Sequence, residues 1–430
     1  MKLTSLVYIL LLSFILHPEI YSQHRVNIKT LRSAFVIKEN QKKYYKKTVD
    51  FIHNTFASPV NSDNERDWIN AFQDAELILY RNSTVKNAIK YALDNYKTRT
   101  DKFNYKVLEC ASTLFPHAFP DRIELIFKNT DNPQIFAASL TILKRQKYKN
   151  RPIKFYLKAL TEKFADWQKN PVLLMLHKYL STSANKLFAG LPSLEDLLRF
   201  PFEKNKTVIF TFLRHDRIYP GLTIIRKPDG KFARNDDGKI FSIHQLGYSF
   251  SNFPGFLKNG NTPQGIFSIV GWYITPTKSI GPTPNVLTRL PFEVPPDIFF
   301  HHKIKSKRWS IDNYETLIPK SWKNYFPLYE SFYAGKSGRK LLIMHGSTDN
   351  LEFYKNEPYY PHTPTQGCLS SIEIWNTDTG KVIKSDQAKL MNEFYSTGVL
   401  EGYLVVIEIN DKKAPVTLKE LNRLILKAEK

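Results

Sequence analysis

The chain has 430 residues, room for two or three domains, and its 42% hydrophobic and 14% aromatic content excludes a disordered or fibrous protein. The formal net charge of +22 suits anionic surroundings such as nucleic acid, acidic lipid or wall polymer, or else a generally basic solvated surface. No recognisable nucleic-acid module accompanies it, so nucleic acid is not an expected partner. Residues 1–23 read as a secretory signal: Lys2 is the positive start, 6–16 is an apolar run too short to span a membrane comfortably, and His17-Pro18-Glu19 breaks it before Ser22. An uncleaved anchor is the alternative. No later stretch has the length and apolarity of a transmembrane segment, so the mature chain is expected to be exported, periplasmic or associated with a cell wall.

Residues 24–203 read as an α-helical domain. Lys42, Lys43, Lys46 and Lys47 flank Tyr44 and Tyr45, the pattern of a solvated helix face or of a contact with an anionic polymer. Ser62-Asp63-Asn64-Glu65 has the form of a capping box with Ser62 at the cap. Amphipathic segments follow at 85–96, 105–114, 122–127, 133–146, 153–168 and 172–180. They are separated by breaks at Pro116, Pro120, Asn132-Pro133, Arg151-Pro152 and Asn170-Pro171. The recurrence predicts an array of helical hairpins, HEAT-like, or an irregular bundle. Nothing here has catalytic spacing, and a scaffold role or a protein partner is the expectation. Cys110 lies in one of these segments and is predicted to be a reduced core residue.

A short helix at 194–200 ends at Pro201, and the texture then turns to β over 204–410. Strands are predicted at 207–212, 222–225, 243–250, 266–272, 341–344, 372–375 and 404–409, with turns at Pro228-Asp229-Gly230 and Asp236-Asp237-Gly238. Residues 276–335 are rich in proline and read as an insertion or long loop. Its His301-His302 pair is expected to be exposed or satisfied histidines at a strand end, and Lys303, Lys305, Lys307 and Arg308 beside Trp309 make a basic, aromatic patch. A final amphipathic helix is predicted within 411–430. No zinc-type spacing of cysteine and histidine appears, so neither a metal nor a cofactor is expected.

The stretch 341–375 carries the chemistry. An apolar strand ends on His345-Gly346-Ser347, and after a long aromatic excursion the chain returns through Thr365-Gln366-Gly367 to Cys368. A thiol is nucleophilic only as thiolate and needs a base or a positive neighbour, for which His345 is the candidate. Gly367 allows a close backbone approach, with N–H groups nearby to hold an oxyanion. Taken alone, such a cysteine is more often a small core hydrophobe than a nucleophile.

Together with Thr262-Pro263-Gln264-Gly265 upstream, this order of motifs resembles the catalytic domain of the L,D-transpeptidase (YkuD) family over about half of the chain. The resemblance implies a mostly β catalytic domain and a cysteine acyltransferase acting on peptidoglycan stem peptides. Cys368 would be the nucleophile, His345 the base and Gly346 the carbonyl that orients the imidazole. Ser347, Thr365, Gln366 and Gly367 would line the substrate and oxyanion side. An L,D-carboxypeptidase or peptidase on the same fold, or a non-catalytic wall-binding scaffold, are the alternatives. The chain departs from the family pattern at Gln366, where many members have histidine, and at Ser370, where asparagine or arginine is common. The excursion, with Phe353, Tyr354, Tyr359, Tyr360 and His362, is also longer than usual.

Overall fold

A computed structural model describes residues 25–430; the signal read at 1–23 lies outside them. The N-terminal region is helical, with α1 Lys38–Phe56, α2 Glu65–Leu77, α3 Ser83–Asp94, α4 Asp101–Leu114 and α5 Pro120–Asn129, followed by α6 Pro133–Arg145, α7 Ile153–Lys163, α8 Pro171–Ser181, α9 Ala184–Ala189 and α10 Leu194–Arg199. The breaks in the sequence are helix starts except Pro116, which lies in the turn between α4 and α5. Asn82, Thr100, Asn132 and Asn170 each accept a backbone N–H at a cap, and Pro120, Pro133 and Pro171 open their helices where a missing N–H costs nothing. Ser62 is not a cap: Asn64 takes that place, and Glu65 begins α2. Trp68, Phe72, Phe103 and Phe136 fill the helical core, which also takes in Phe253, Phe256 and Leu257 from the β region.

Eight strands close a barrel. They are β1 Thr207–Arg214, β2 Gly221–Arg226, β3 Ile243–Leu246, β4 Gly265–Tyr273, β5 Asn285–Arg289, β6 Ile343–His345, β7 Leu369–Ser371 and, after the side hairpin β8 Glu373–Trp375 and β9 Val382–Ser385, β10 Gly402–Asn410. The order is β1-β10-β4-β5-β6-β7-β3-β2, with β1·β10 and β6·β7 parallel and the other neighbours antiparallel. Closure buries both faces, so β1 is covered along its whole length and reads as a nearly unbroken apolar run. Ile209, Phe267, Met344, Leu369 and Leu404 share one core with α14 (Asp386–Ser396). Val208, Phe210, Phe212 and Val405 pack instead in a second core that includes α10 and the C-terminal α15 (Leu418–Ala428). Arg214, wholly buried, bonds Asn410, Ala414, Pro415 and Glu420, and so ties α15 to the barrel.

The segment 276–335 is not a long loop. It supplies β5 and two short helices, α11 Pro296–Phe300 and α12 Ile311–Glu315, with α13 Glu330–Lys336 straddling its end. Ile298-Phe299-Phe300 is therefore helical, and His301 follows a helix, its Nε2 within reach of Ser268 Oγ at 3.0 Å and Gly402 O at 2.9 Å. Trp309 turns inward onto Phe292 and Phe299, so the neighbouring lysines stand exposed without its ring. The strand predicted at 372–375 belongs to the side hairpin, and the barrel strand next to it is β7. Among the described residues no helix is long and apolar enough to cross a membrane, and no group of three or more metal-ligating side chains is assembled.

Candidate active site

β6 and β7 are parallel neighbours, with Met344 opposite Leu369 and His345 opposite Ser370. Extending that register by one residue sets Cys368 beside Ile343. Side chains two apart on a strand share a face, so His345 and Cys368 project from the same face as diagonal neighbours. Two residues more than twenty positions apart are brought together by strand pairing alone.

His345 is buried, and its Nδ1 lies 2.5 Å from Gly346 O. A carbonyl can only accept, so Nδ1 carries the proton and Nε2 is left with its lone pair. Burial holds the imidazole below its ordinary pKa, the Gly346 bond opposing, so the ring is neutral in neutral solution. Nε2 has no hydrogen-bond partner among the described residues. The tightness of the His345-Gly346 turn has a visible cause: a Cβ at Gly346 would overlap the Glu373 carboxyl. Glu373 is buried on β8, its Oε1 accepts from Thr283 Oγ1 (2.7 Å) and Ser385 Oγ (2.6 Å), and burial pushes it up to about 7. Trp375 Nε1 donates to Ser347 O at 2.9 Å, which fixes the next residue of the turn.

The cysteine turn is held as firmly. Thr365 Oγ1 donates to Cys368 O (2.9 Å) and accepts the Gly367 N–H (3.0 Å). Gly367 has φ of 112°, and a Cβ there would collide with Arg339. Arg339 is buried, and its guanidinium donates to Gly255 O, Asn261 O, Gly260 O and Gln366 O. It thus stitches the 253–261 loop to the turn and places a positive charge beneath the thiol. Cys368 itself is half-buried. Its Sγ accepts the Ile343 N–H at 3.5 Å and lies 3.8 Å from Leu341 O, the direction in which the thiol proton points. Burial pushes the thiol up to about 11, opposed by the Ile343 N–H and by Arg339. No hydrogen bond joins Sγ to His345 among the described residues, so the resting thiol is protonated.

Of the other residues singled out from sequence, Thr365 supports the turn and Gln366 stands exposed. Ser347 is turned away toward Ser279 O (3.3 Å) and Asp349 Oδ2 (3.2 Å). The Gly367 N–H, an expected oxyanion donor, is spent on Thr365. The excursion between the two chemistry-bearing residues is docked on the helical region: Tyr354 Oη donates to Leu77 O (2.7 Å), Arg81 pairs with Glu357 (2.9 Å), and Phe353 packs on Tyr45. His362 is buried with neither ring nitrogen hydrogen-bonded. Arg339 and Glu373 were invisible to sequence reasoning, because the carbonyls and backbone they serve lie 27 to 84 residues away or are met only through glycines.

Comparisons of this chain with protein-family models, with curated proteins and with solved structures return no match.

Proposed function

We propose that the chain is a cysteine-dependent acyltransferase of the L,D-transpeptidase type, acting on peptidoglycan stem peptides, and that its barrel is a divergent form of the YkuD-like catalytic domain. The observation that carries the reading is the pairing of β6 with β7, which sets Cys368 and His345 diagonally on one face with Nδ1 pinned to Gly346 O and Nε2 unpartnered. A neutral imidazole with a free Nε2 is the form a general base requires. In the reaction the Cys368 S–H leaves Leu341 O, and rotation about the Cα–Cβ bond brings it to Nε2, which takes the proton. The thiolate attacks the carbonyl of the third stem residue. The tetrahedral oxyanion is held by amides of the 366–368 turn, with Gln366 and Cys368 as donors because Gly367 is engaged. Collapse breaks the amide bond, and the imidazolium returns its proton to the leaving terminal D-residue. The thioester then passes to an amine or to water. Gln366 replaces a titratable histidine, so proton handling rests on His345 alone.

The test incubates the purified protein with tetrapeptide muropeptides and, separately, with a carbapenem, and reads both by mass. Cross-linked dimers together with a carbapenem adduct that vanishes in Cys368→Ala support transpeptidation, and tripeptides alone assign hydrolysis. Wild type and Cys368→Ala behaving identically in both assays would remove the enzyme reading.

A further inference from the structure

A cleft of about 600 Å³ opens between α6, α8 and α9 of the helical region and the barrel end formed by β1, β4 and β10. It is separate from the cysteine site: neither His345 nor Cys368 lines it, and the Arg339 guanidinium lies between the two, bonding Gly255 and Asn261 on the cleft wall and Gln366 on the other side. Its volume falls in the range of small-molecule sites.

The charge around the cleft is unbalanced. Lys144, Arg145, Lys178 and Lys186 line it, and none of the four forms an ion pair among the described residues. The acids on the same wall are mostly taken: Glu408 by Arg217 (2.7 Å) and His215 (2.8 Å), and Asp216 by Lys413 (3.1 Å). Glu330 is buried and receives the Gln264 N–H at 2.8 Å. A concave surface with uncompensated cations concentrates anions. The walls are aromatic as well, with Lys144 4.4 Å over the Tyr179 ring and Lys178 5.1 Å over Phe326.

One polar group has no partner in the protein. Tyr325 lines the cleft at 5% exposure, and its hydroxyl is buried without a hydrogen bond. Such a group is normally satisfied, so it marks a place where a ligand atom fits. The remaining polar lining includes Thr182, Ser183 and Asn324, all exposed, together with Gln264, Asn252 and Asn261; Gln264 accepts the Glu408 N–H, and the Asn261 amide donates to Asn252 Oδ1 at 2.8 Å. A closed barrel offers no strand edge to an extended peptide, whereas exposed hydroxyls at Thr182 and Ser183, the exposed Asn324 amide and ring walls match a molecule rich in hydroxyl groups.

We propose that this cleft binds a carboxylated oligosaccharide, its acid groups on Lys144, Lys178 and Lys186, its ring faces along Tyr179 and Phe326, and one of its hydroxyls on Tyr325 Oη. The proposal stands on the cleft and is independent of the chemistry at Cys368. Calorimetry on the full chain tests it with three probes: a tetrasaccharide of alternating N-acetylglucosamine and N-acetylmuramic acid, uncharged chitotetraose, and hexaglutamate. The acidic tetrasaccharide should bind at least about tenfold more tightly than either of the others, and its affinity should fall as salt rises, because the contacts are charged and partly exposed. Lys178→Gln combined with Lys186→Gln, both at exposed positions, should weaken it about tenfold. Tyr325→Phe should weaken it about fivefold with no loss of Tm, since the hydroxyl has no protein partner to lose. Equal affinity for chitotetraose, tighter binding of hexaglutamate, or unchanged affinity in both variants would overturn the proposal. Cys368→Ala should bind as wild type does, so failure here and failure of the acyltransfer reading are told apart.

Discussion

Each region of the molecule holds one free cysteine, and the two sulfurs differ less in burial pressure than in neighbours. Cys110, in the middle of α4, is sealed in the helical core with its Sγ 3.8 Å from Phe72 O. Burial drives its thiol far up, and the nearby Glu76 carboxylate adds to this. That carboxylate belongs to a buried cluster in which Lys106 pairs with Glu76 (3.0 Å) and Glu109 (2.7 Å). Cys368 is also pushed up by burial, but an N–H and a guanidinium oppose the shift, and one side of the residue reaches solvent. The same atom is thus inert where carboxylates surround it. At Cys368 the barrel instead supplies a backbone donor, a buried arginine and an imidazole on the same face, neighbours of the kind that favour a thiolate.

The sharpest way to break this contrast is labelling. An electrophile such as a carbapenem should modify wild type and Cys110→Ala, while Cys368→Ala should lose the adduct entirely; modification at Cys110 in the folded protein would erase the distinction. The Cys110→Ala change should cost about 1 kcal/mol of stability in urea unfolding.

Next in size is Arg339→Met, which leaves the carbonyls of Gly255, Gly260, Asn261 and Gln366 without their donor. A loss of about 3 kcal/mol is expected, together with slower labelling of Cys368 because the charge beneath it is gone. A variant as stable and as reactive as wild type would show that the guanidinium does not hold the turn. Gly346→Ala should cost about 2 kcal/mol through overlap with Glu373, and should slow labelling further by displacing the carbonyl that fixes the imidazole.

The smallest effect is in the pH dependence. Glu373 has its folded pKa raised from 4.5 to about 7 by burial. The folded state therefore holds a proton that the unfolded state has released, so this stabilising contribution is complete below pH 4.5 and is lost as pH rises through about 7. Glu330 shifts in the same direction to about 7. The Tm should decline over that window, and Glu373→Gln should flatten part of the decline. An unchanged slope in that variant would assign the titration elsewhere.

Local signals made the helical region legible. Pro and Asn at helix starts act within three or four residues, so α5, α6 and α8 begin where the breaks stand. The long strands β1 and β10 were equally readable, because burial on both faces leaves a continuous apolar run. The short strands were read only in part: β2, β3, β6 and β8 overlap predicted stretches, whereas β5, β7 and β9 do not. β5 sits in a proline-rich segment and β7 has three residues; each exists because its neighbours supply the ladder. The 207–250 and 341–375 stretches likewise gave no sign of barrel closure, which depends on β1 pairing with β10 almost two hundred residues later.

At the candidate site, the sequence by itself determined which atoms are present: a thiol after a glycine, an imidazole before one, and a threonine able to brace the turn. Only the tertiary structure decided that β6 lies beside β7, that both side chains share a face, and that Arg339 and Glu373 arrive beneath the two glycines. The physical reason is range. Caps, turns and apolar periodicity are settled by contacts a few residues apart, whereas strand register, a buried charge and the environment that sets a thiol's proton affinity are produced by groups that meet only when the barrel closes.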